Sequence, residues 1–313
     1  MYPFQNRRLP SLSFCFVLLM LIAILPQSLT AQQLKKRLAV LTFEDKTSQA
    51  QSYGYMGKDA GDAFAEMVTT ALVKTGNYTV IERNELQQLL KEQGLGSSGL
   101  VTEESAAQAG QVLGAELVII GAVSEFGNTK GSTGGSTRRI GVGIDNSKAT
   151  VAVDVRIVDP STSEILAAEN IRKSKSKKGL SVRVKDIKVG SKNEFDESIV
   201  GKAARDAVDS VVDLLVKNAD KVRWQAKVVT MNGGQVFMNA GSKSGVKNGM
   251  RFTVYRPGEE LIDPDTGLNL GSVESTVGVI EVNDSELGEG KAARCTVIEG
   301  SGFERGDIIR ESK

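Results

Sequence analysis

The sequence predicts an α+β chain: a strand–helix domain with β-hairpin extensions, followed by a small all-β barrel or sandwich. Three observations predict it. Strand and helix periods alternate from Arg37 to Ile120, strict period-two alternation takes over between Arg139 and Ile157, and beyond Trp224 no helical period returns. At 313 residues the chain has room for about two domains at the usual ~100–200 residues each. Its 33 glycines and 5% aromatic content suit many turns and short strands.

Arg37–Phe43 (RLAVLTF) is mostly apolar, as a strand covered on both faces would be. Phe64, Met67, Val68, Ala71 and Leu72 recur at helical spacing between Gly61 and Thr75, and Gly76 stands where a helix stops. Tyr78–Ile81 reads as a second strand. Asn84 opens a helix with Leu86, Leu89 and Leu90 on one side that ends at Gly94; Thr102 opens another that runs to Leu113 before Gly114. Leu117–Ile120 is a buried strand, which completes the order β-α-β-α-α-β of a sheet with helices packed on it.

The texture then changes. Gly127–Thr137 is rich in Gly, Ser and Thr and reads as a flexible loop. Ile140, Val142 and Ile144 alternate with Arg139, Gly141 and Gly143, and an Asp145-Asn146-Ser147 turn leads into Val151, Val153, Val155 and Ile157. A second strand pair is expected across Ile165–Lys178 and Leu180–Val189. A helix with a wide apolar stripe returns over Asp196–Val216. Six short strands follow at Ala226–Val229, Gln235–Met238, Arg251–Tyr255, Val277–Val282, Ala292–Ile298 and Asp307–Arg310. Asn232-Gly233-Gly234, Asn248-Gly249 and Pro264-Asp265-Thr266-Gly267 supply turns between them.

The N-terminus carries a compartment signal. Arg7 and Arg8 precede an apolar run from Phe14 to Leu25, Pro26 breaks it, and Ser28-Leu29-Thr30-Ala31 gives a small-residue exit. Residues 1–31 therefore read as a secretory signal peptide, with the run short of the ~20 residues that span a bilayer. Cys15 sits at the front of that run, so no lipidated cysteine is expected after processing. Cys295, alone in the mature chain, is expected to be buried as a small hydrophobe.

Enzyme chemistry finds little support. Histidine is absent, which removes Ser-His and Cys-His catalysis and the commonest zinc ligand. Gly94-Leu95-Gly96-Ser97-Ser98-Gly99 matches the dinucleotide fingerprint in letters only, because a predicted helix precedes it where the motif needs a strand. Asp263-Pro264-Asp265-Thr266-Gly267 lacks the further spaced ligands of a calcium loop and reads as a β-turn. No catalytic, metal or cofactor site is assigned. A net charge of +1 gives no reason to expect a nucleic-acid partner. Period-two alternation at 139–157 fits a soluble sheet with one wet face, or a strand with lipid on one side and a lumen on the other.

Several stretches resemble the CsgG family, whose curli member secretes amyloid subunits through an outer-membrane ring. They are Leu38-Ala39-Val40-Leu41-Thr42-Phe43, Val80-Ile81-Glu82-Arg83 with the Leu86/Leu89/Leu90 helix, Leu113-Gly114-Ala115-Glu116-Leu117-Val118-Ile119-Ile120-Gly121, and Val151–Val158 leading into Ser161-Thr162-Ser163-Glu164-Ile165-Leu166. The resemblance covers about Arg37–Val216 and implies a periplasmic α/β domain over 32–222. It places two barrel-forming hairpins at 138–158 and 171–189, with Ile140, Val142, Ile144, Val151, Val153, Val155 and Ile157 as barrel-facing strand residues. It further implies a pore constriction in the loop from Glu44 to Lys58, nearest Tyr53, Tyr55 and Met56. Three departures stand out. The curli member's lipidated cysteine is missing, the loop tyrosines differ from the usual constriction pattern, and the second hairpin is basic (Arg172, Lys173, Lys175, Lys177, Lys178, then Arg183, Lys185, Lys188). A lysine facing lipid at mid-membrane costs about 2–4 kcal/mol.

Residues 223–313 resemble the C-terminal domain of the flagellar assembly protein T group, through Asn239-Ala240-Gly241-Ser242-Lys243-Ser244-Gly245-Val246 with Gly249, and Gly302-Phe303-Glu304-Arg305-Gly306-Asp307-Ile308-Ile309. That implies an SH3-like barrel with a binding or assembly role. Together the two resemblances imply a non-enzymatic, exported, non-lipidated component of the periplasm and outer membrane. It is expected to act as a homo-oligomeric ring for assembly or secretion, with an envelope or secreted protein as partner and no cofactor. The alternative is a soluble periplasmic scaffold or regulatory module whose hairpins lie flat on its core.

Overall fold

β1 (Lys36–Asp45) is an interior strand of a five-stranded sheet, and its apolar sequence follows from being covered on both faces. The computed structural model describes residues 34–47, 59–81, 103–137, 140–181, 195, 197–265 and 269–312. α1 (Ala60–Thr75) follows β1, capped at its start by the Asp59 carboxylate accepting from the Asp62 amide and at its end by left-handed Gly76. β2 (Tyr78–Val80), α2 (Glu103–Leu113), β3 (Leu117–Thr137), β4 (Ile140–Asp159), β5 (Glu164–Ser181) and α3 (Ile199–Asn218) complete the α/β part. The strand order is β2-β1-β3-β4-β5, parallel among the first three and antiparallel from β3 to β5.

Helices cover both faces. Phe64, Val68 and Leu72 of α1 and Ala204, Val208, Val211 and Leu215 of α3 pack on one side of the sheet. Ala106 and Ala109 of α2 meet Ala39, Leu41, Val118, Ile120 and Val158 on the other. The helix expected from Asn84 to Gly94 lies outside the described residues, as does the Gly94–Gly99 motif.

Three expectations about the middle of the chain are corrected. Gly127–Thr137 is not a loop: β3 runs on through it, paired with β4 row by row from Gly127↔Thr150 to Thr137↔Ile140. Asp145-Asn146-Ser147 is not a turn either, because β4 is unbroken there and paired on both sides, to β3 and to β5. The pairing of β3 with β4 continues instead as far as Thr137↔Ile140. Leu180 likewise continues β5 opposite Ile144 and does not begin a return strand; residues 182–189 lie outside the described residues.

The C-terminal strands close into a six-stranded antiparallel barrel in the order β10-β7-β6-β11-β8-β9. They are β6 (Ala226–Asn232), β7 (Gln235–Met238), β8 (Arg251–Ile262), β9 (Asn269–Glu286), β10 (Ala292–Gly300) and β11 (Ile308–Glu311). Gly233 and Gly234 both adopt positive φ (58° and 75°), as the two-residue hairpin between β6 and β7 requires. Trp224 packs against Phe252 in the barrel core, with ring centroids 5.3 Å apart. β8 and β9 are longer than the sequence suggests and continue past the barrel as a hairpin, where the Asp265 amide donates to the Asp263 carboxylate in the turn. Cys295 is buried in the barrel, and burial pushes its thiol up to about 12.

Candidate functional site

Two features stand out above the core. The first is the length of β3 and β4. The helix-covered part of the sheet ends where Phe126 stacks on Phe195 (ring centroids 6.2 Å apart) and where buried Ala149 pairs with Asn128. From Thr129↔Lys148 to Thr137↔Ile140 the two strands stay paired for nine further rows. At ~3.3 Å per residue that overhang is roughly 30 Å long. β5 accompanies it from Ser176↔Lys148 to Ser181↔Gly143.

Register sorts the overhang into two faces. β4 carries no bulge here, so its even and odd positions alternate cleanly. One face holds the positions of Ile140, Val142 and Ile144, opposite Thr137, Gly135 and Thr133, with Leu180 across from Ile144. The other holds Gly141, Gly143 and Asp145, opposite Ser136, Gly134 and Ser132. Val151, Val153, Val155 and Ile157 sit at odd positions, so they do not share a face with Ile140, Val142 and Ile144 as the sequence reading assumed. The structure places all four in the core against α1 and α3. Tyr53, Tyr55 and Met56 lie outside the described residues.

The lysines of β5 also find places. Lys173 is half-buried, Lys175 pairs with Asp206 of α3 at 2.6 Å, and Lys177 is exposed. The first two stand beside the helix-covered sheet, not out on the overhang. Arg172 is on the opposite face, paired with Glu125.

The second feature is the junction between the sheet and the barrel. Leu34, just before β1, belongs to the barrel core, and the Lys35 amide donates to the Ser244 carbonyl at 2.9 Å. Glu116, at the entry to β3, is buried to 2% exposure. Its Oε2 accepts from the Arg37 amide at 2.7 Å and its Oε1 from the Gln225 amide at 2.6 Å. One carboxylate thus ties β1 to the segment entering the barrel. Burial pushes its pKa up to about 7, against the two amides and the charges of Arg37 and Lys36, which pull it down. Arg37 also donates to the Leu113 carbonyl at 2.6 Å, satisfying the end of α2; burial lowers its own pKa.

Above this tie lies a cleft of about 370 Å³ between the β4–β5 turn and the β8–β9 hairpin. Glu116, Arg37, Gln111, Asp159, Glu274 and Arg310 are among its walls. Three of its acids are already engaged: Glu116 as above, Asp159, which accepts from the Ser161 amide and hydroxyl, and Glu274, which takes a two-pronged contact from Arg310 at 2.5 and 2.8 Å. The arrangement braces two parts of the chain. Among the described residues, no cluster of three or more His, Cys, Asp or Glu side chains is placed to hold a metal. No helix among them is long and apolar enough to cross a membrane.

The sequence reading passed over Glu116. Its signal was there in Ala115-Glu116-Leu117, one acid at the mouth of an otherwise apolar strand. The family model of the curli production assembly/transport component CsgG matches residues 23–250, well over half of the chain. The chain belongs to the CsgG family. No curated protein matches this CsgG-family chain. Among solved structures it is similar to the LpoB C-terminal domain from Salmonella enterica (18% identity, 49% of this chain and 91% of that one, TM-score 0.31). It is similar also to the hypothetical protein CT253 from Chlamydia trachomatis (18%, 59% and 97%, TM-score 0.38). A third is the PelC dodecamer from Paraburkholderia phytofirmans (12%, 57% and 88%, TM-score 0.31). The family match runs from before β1 into the barrel, past the extent that the sequence motifs suggested. It makes this chain an envelope component related to curli assembly and transport.

Proposed function

We propose that this CsgG-family protein is an exported, outer-membrane-associated assembly or secretion component that works as a homo-oligomeric ring. The observation that carries the reading is the overhang of β3 and β4. Nine rows are close to the ~9–11 tilted residues that a strand needs to cross a bilayer. Its two faces differ as a barrel wall requires, with Ile140, Val142, Ile144 and Leu180 toward lipid and Ser, Gly and Asp positions toward a lumen. Lys148 falls near the base of the lipid face, where a long side chain reaches headgroups. β3 beyond Val123 has no strand on its outer side among the described residues. Its stretch Asn128–Thr137 carries no proline and a single charge, Lys130. Such an edge is a template for another copy's strand. The C-terminal barrel, with its resemblance to the flagellar assembly protein T group, then serves as a binding or assembly module on the periplasmic side.

Carbonate washing followed by negative-stain microscopy tests this. The protein is expected to stay with membranes, to need detergent for extraction, and to form rings. Release by carbonate as a monomer would establish the second reading, a soluble periplasmic scaffold, which the packing of Val151–Ile157 beneath α3 favours. If rings conduct, the loop from Glu44 to Lys58 is the constriction. Tyr55→Ala and Met56→Ala are then expected to raise single-channel conductance, and unchanged conductance would remove both from that role.

A further inference from the structure

The β5 lysines form a row. Lys173, Lys175 and Lys177 occupy alternate positions, and the pairs Val151↔Lys173, Ala149↔Lys175 and Ser147↔Lys177 put them on the α3 side of the sheet. Ile144 and Leu180 hold the opposite face. Lys130 extends the row sideways, because it pairs with Ser147, which pairs with Lys177. In a closed wall with Ile140, Val142 and Ile144 toward lipid, this is the lumenal side, at the point where the overhang leaves the helix-covered core. Residues 172–178 read Arg-Lys-Ser-Lys-Ser-Lys-Lys, without an acid. Two acids share the row's face: Asp145, at the next odd position of β4 beyond Ser147, and Asp206 of α3, whose pair with Lys175 is 41% exposed on both sides, an arrangement open to exchange with a competing carboxylate.

We propose that Lys173, Lys175 and Lys177 form a docking strip for an extended, acidic polypeptide segment at the mouth of the pore. The spacing selects the ligand. Alternate positions of a strand recur about every 6.7 Å, and an extended polypeptide repeats its same-side residues at that interval too. A chain with Asp or Glu at every second residue therefore brings one carboxylate to each ammonium in step. The contact is electrostatic, weakens with salt and is exchanged readily, as suits a chain that must move on. The strip deepens the secretion reading and rests on it for its place at a pore mouth; peptide binding itself does not require a pore.

The test uses the full-length, detergent-extracted protein and a fluorescein-labelled peptide alternating Asp and Thr, read by anisotropy at low salt. Two probes serve as controls: a peptide of the same composition with its Asp residues grouped at one end, and the polysaccharide alginate as competitor. The alternating peptide is expected to bind most tightly, and K173Q/K175Q/K177Q to weaken it about tenfold. K243Q/K247Q, which removes charge from the barrel, is expected to leave binding unchanged. The reversed variant K173E/K175E/K177E is expected to prefer a peptide alternating Lys and Thr, which keeps the result readable if the neutral variant folds poorly. Unchanged affinity in both strip variants, or equal binding of the grouped peptide, overturns the proposal. So does alginate competing as strongly, which would make the strip a general polyanion surface. Peptide binding without rings removes only the pore; rings without peptide binding remove only the strip.

Discussion

Glu116→Ala is expected to destabilise the protein by about 2–4 kcal/mol, because it strips the partner from two inward amides at once, those of Arg37 and Gln225. Each buried donor left unpaired costs about 1–3 kcal/mol, and removing a carboxyl from a poorly solvated site returns part of that. Glu116→Gln separates shape from charge. In the native protein the carboxyl titrates near 7, raised from 4.5. The folded state therefore holds its proton more firmly than the unfolded chain does. The resulting contribution to stability is complete below about pH 4.5 and falls away as pH rises through about 7. The full swing is on the order of 3 kcal/mol. Urea midpoints across pH 4.5–8 should show this decline in the native protein and a flatter profile in Glu116→Gln. Equal slopes in both would mean that the junction does not titrate there.

Gly61→Ala is the second large effect, and its sign opposes helix propensity. Alanine in place of glycine favours a helix by about 1 kcal/mol. A methyl at Gly61 would stand 1.9 Å from the Phe43 carbonyl oxygen and 2.8 Å from its carbon. Those are backbone atoms of β1, which cannot swing aside as a side-chain tip can. α1 must lift off the sheet, loosening the contact of Phe64 with Phe43, whose rings now meet edge-on at 5.2 Å. A net loss of about 1–3 kcal/mol follows from overpacking of this kind. Chemical denaturation decides it: an unchanged or raised midpoint would show that the helix has room. The start of α1 is also pinned by Asp45, whose carboxylate accepts from the Ala60 amide at 3.2 Å, so the same variant should disturb the segment that enters the helix.

The elements legible in the sequence are those whose signals are local. Gly76 after Thr75 marks the end of α1, and Asn232-Gly233-Gly234 marks the β6–β7 hairpin, because positive φ is a property of the residue itself. β3 and β4 were legible only in part. Gly127–Thr137 has the composition of a loop, and Asp145-Asn146-Ser147 that of a turn; what makes both extended is partner strands on the page of the sheet, with Gly134 opposite Gly143. Pairing across the fold overrode propensity. Once β4 is a single strand, the parity of its apolar residues changes meaning, and Val151–Ile157 move from a membrane wall to the core. Glu116 was hidden for a related reason. Its partners are 79 and 109 residues away, beyond any window in which a motif can be read.

The order of strands around the barrel has a consequence for how the molecule is made. β11, which follows the other five barrel strands in sequence, lies between β6 and β8 and pairs with both. During synthesis or passage across a membrane, the earlier five strands emerge as an open ribbon with Val228 and Val254 uncovered. The gap is filled only when Ile309 arrives. Maturation of this half thus waits for β11, while the sheet of β1–β5 has all its strands much earlier.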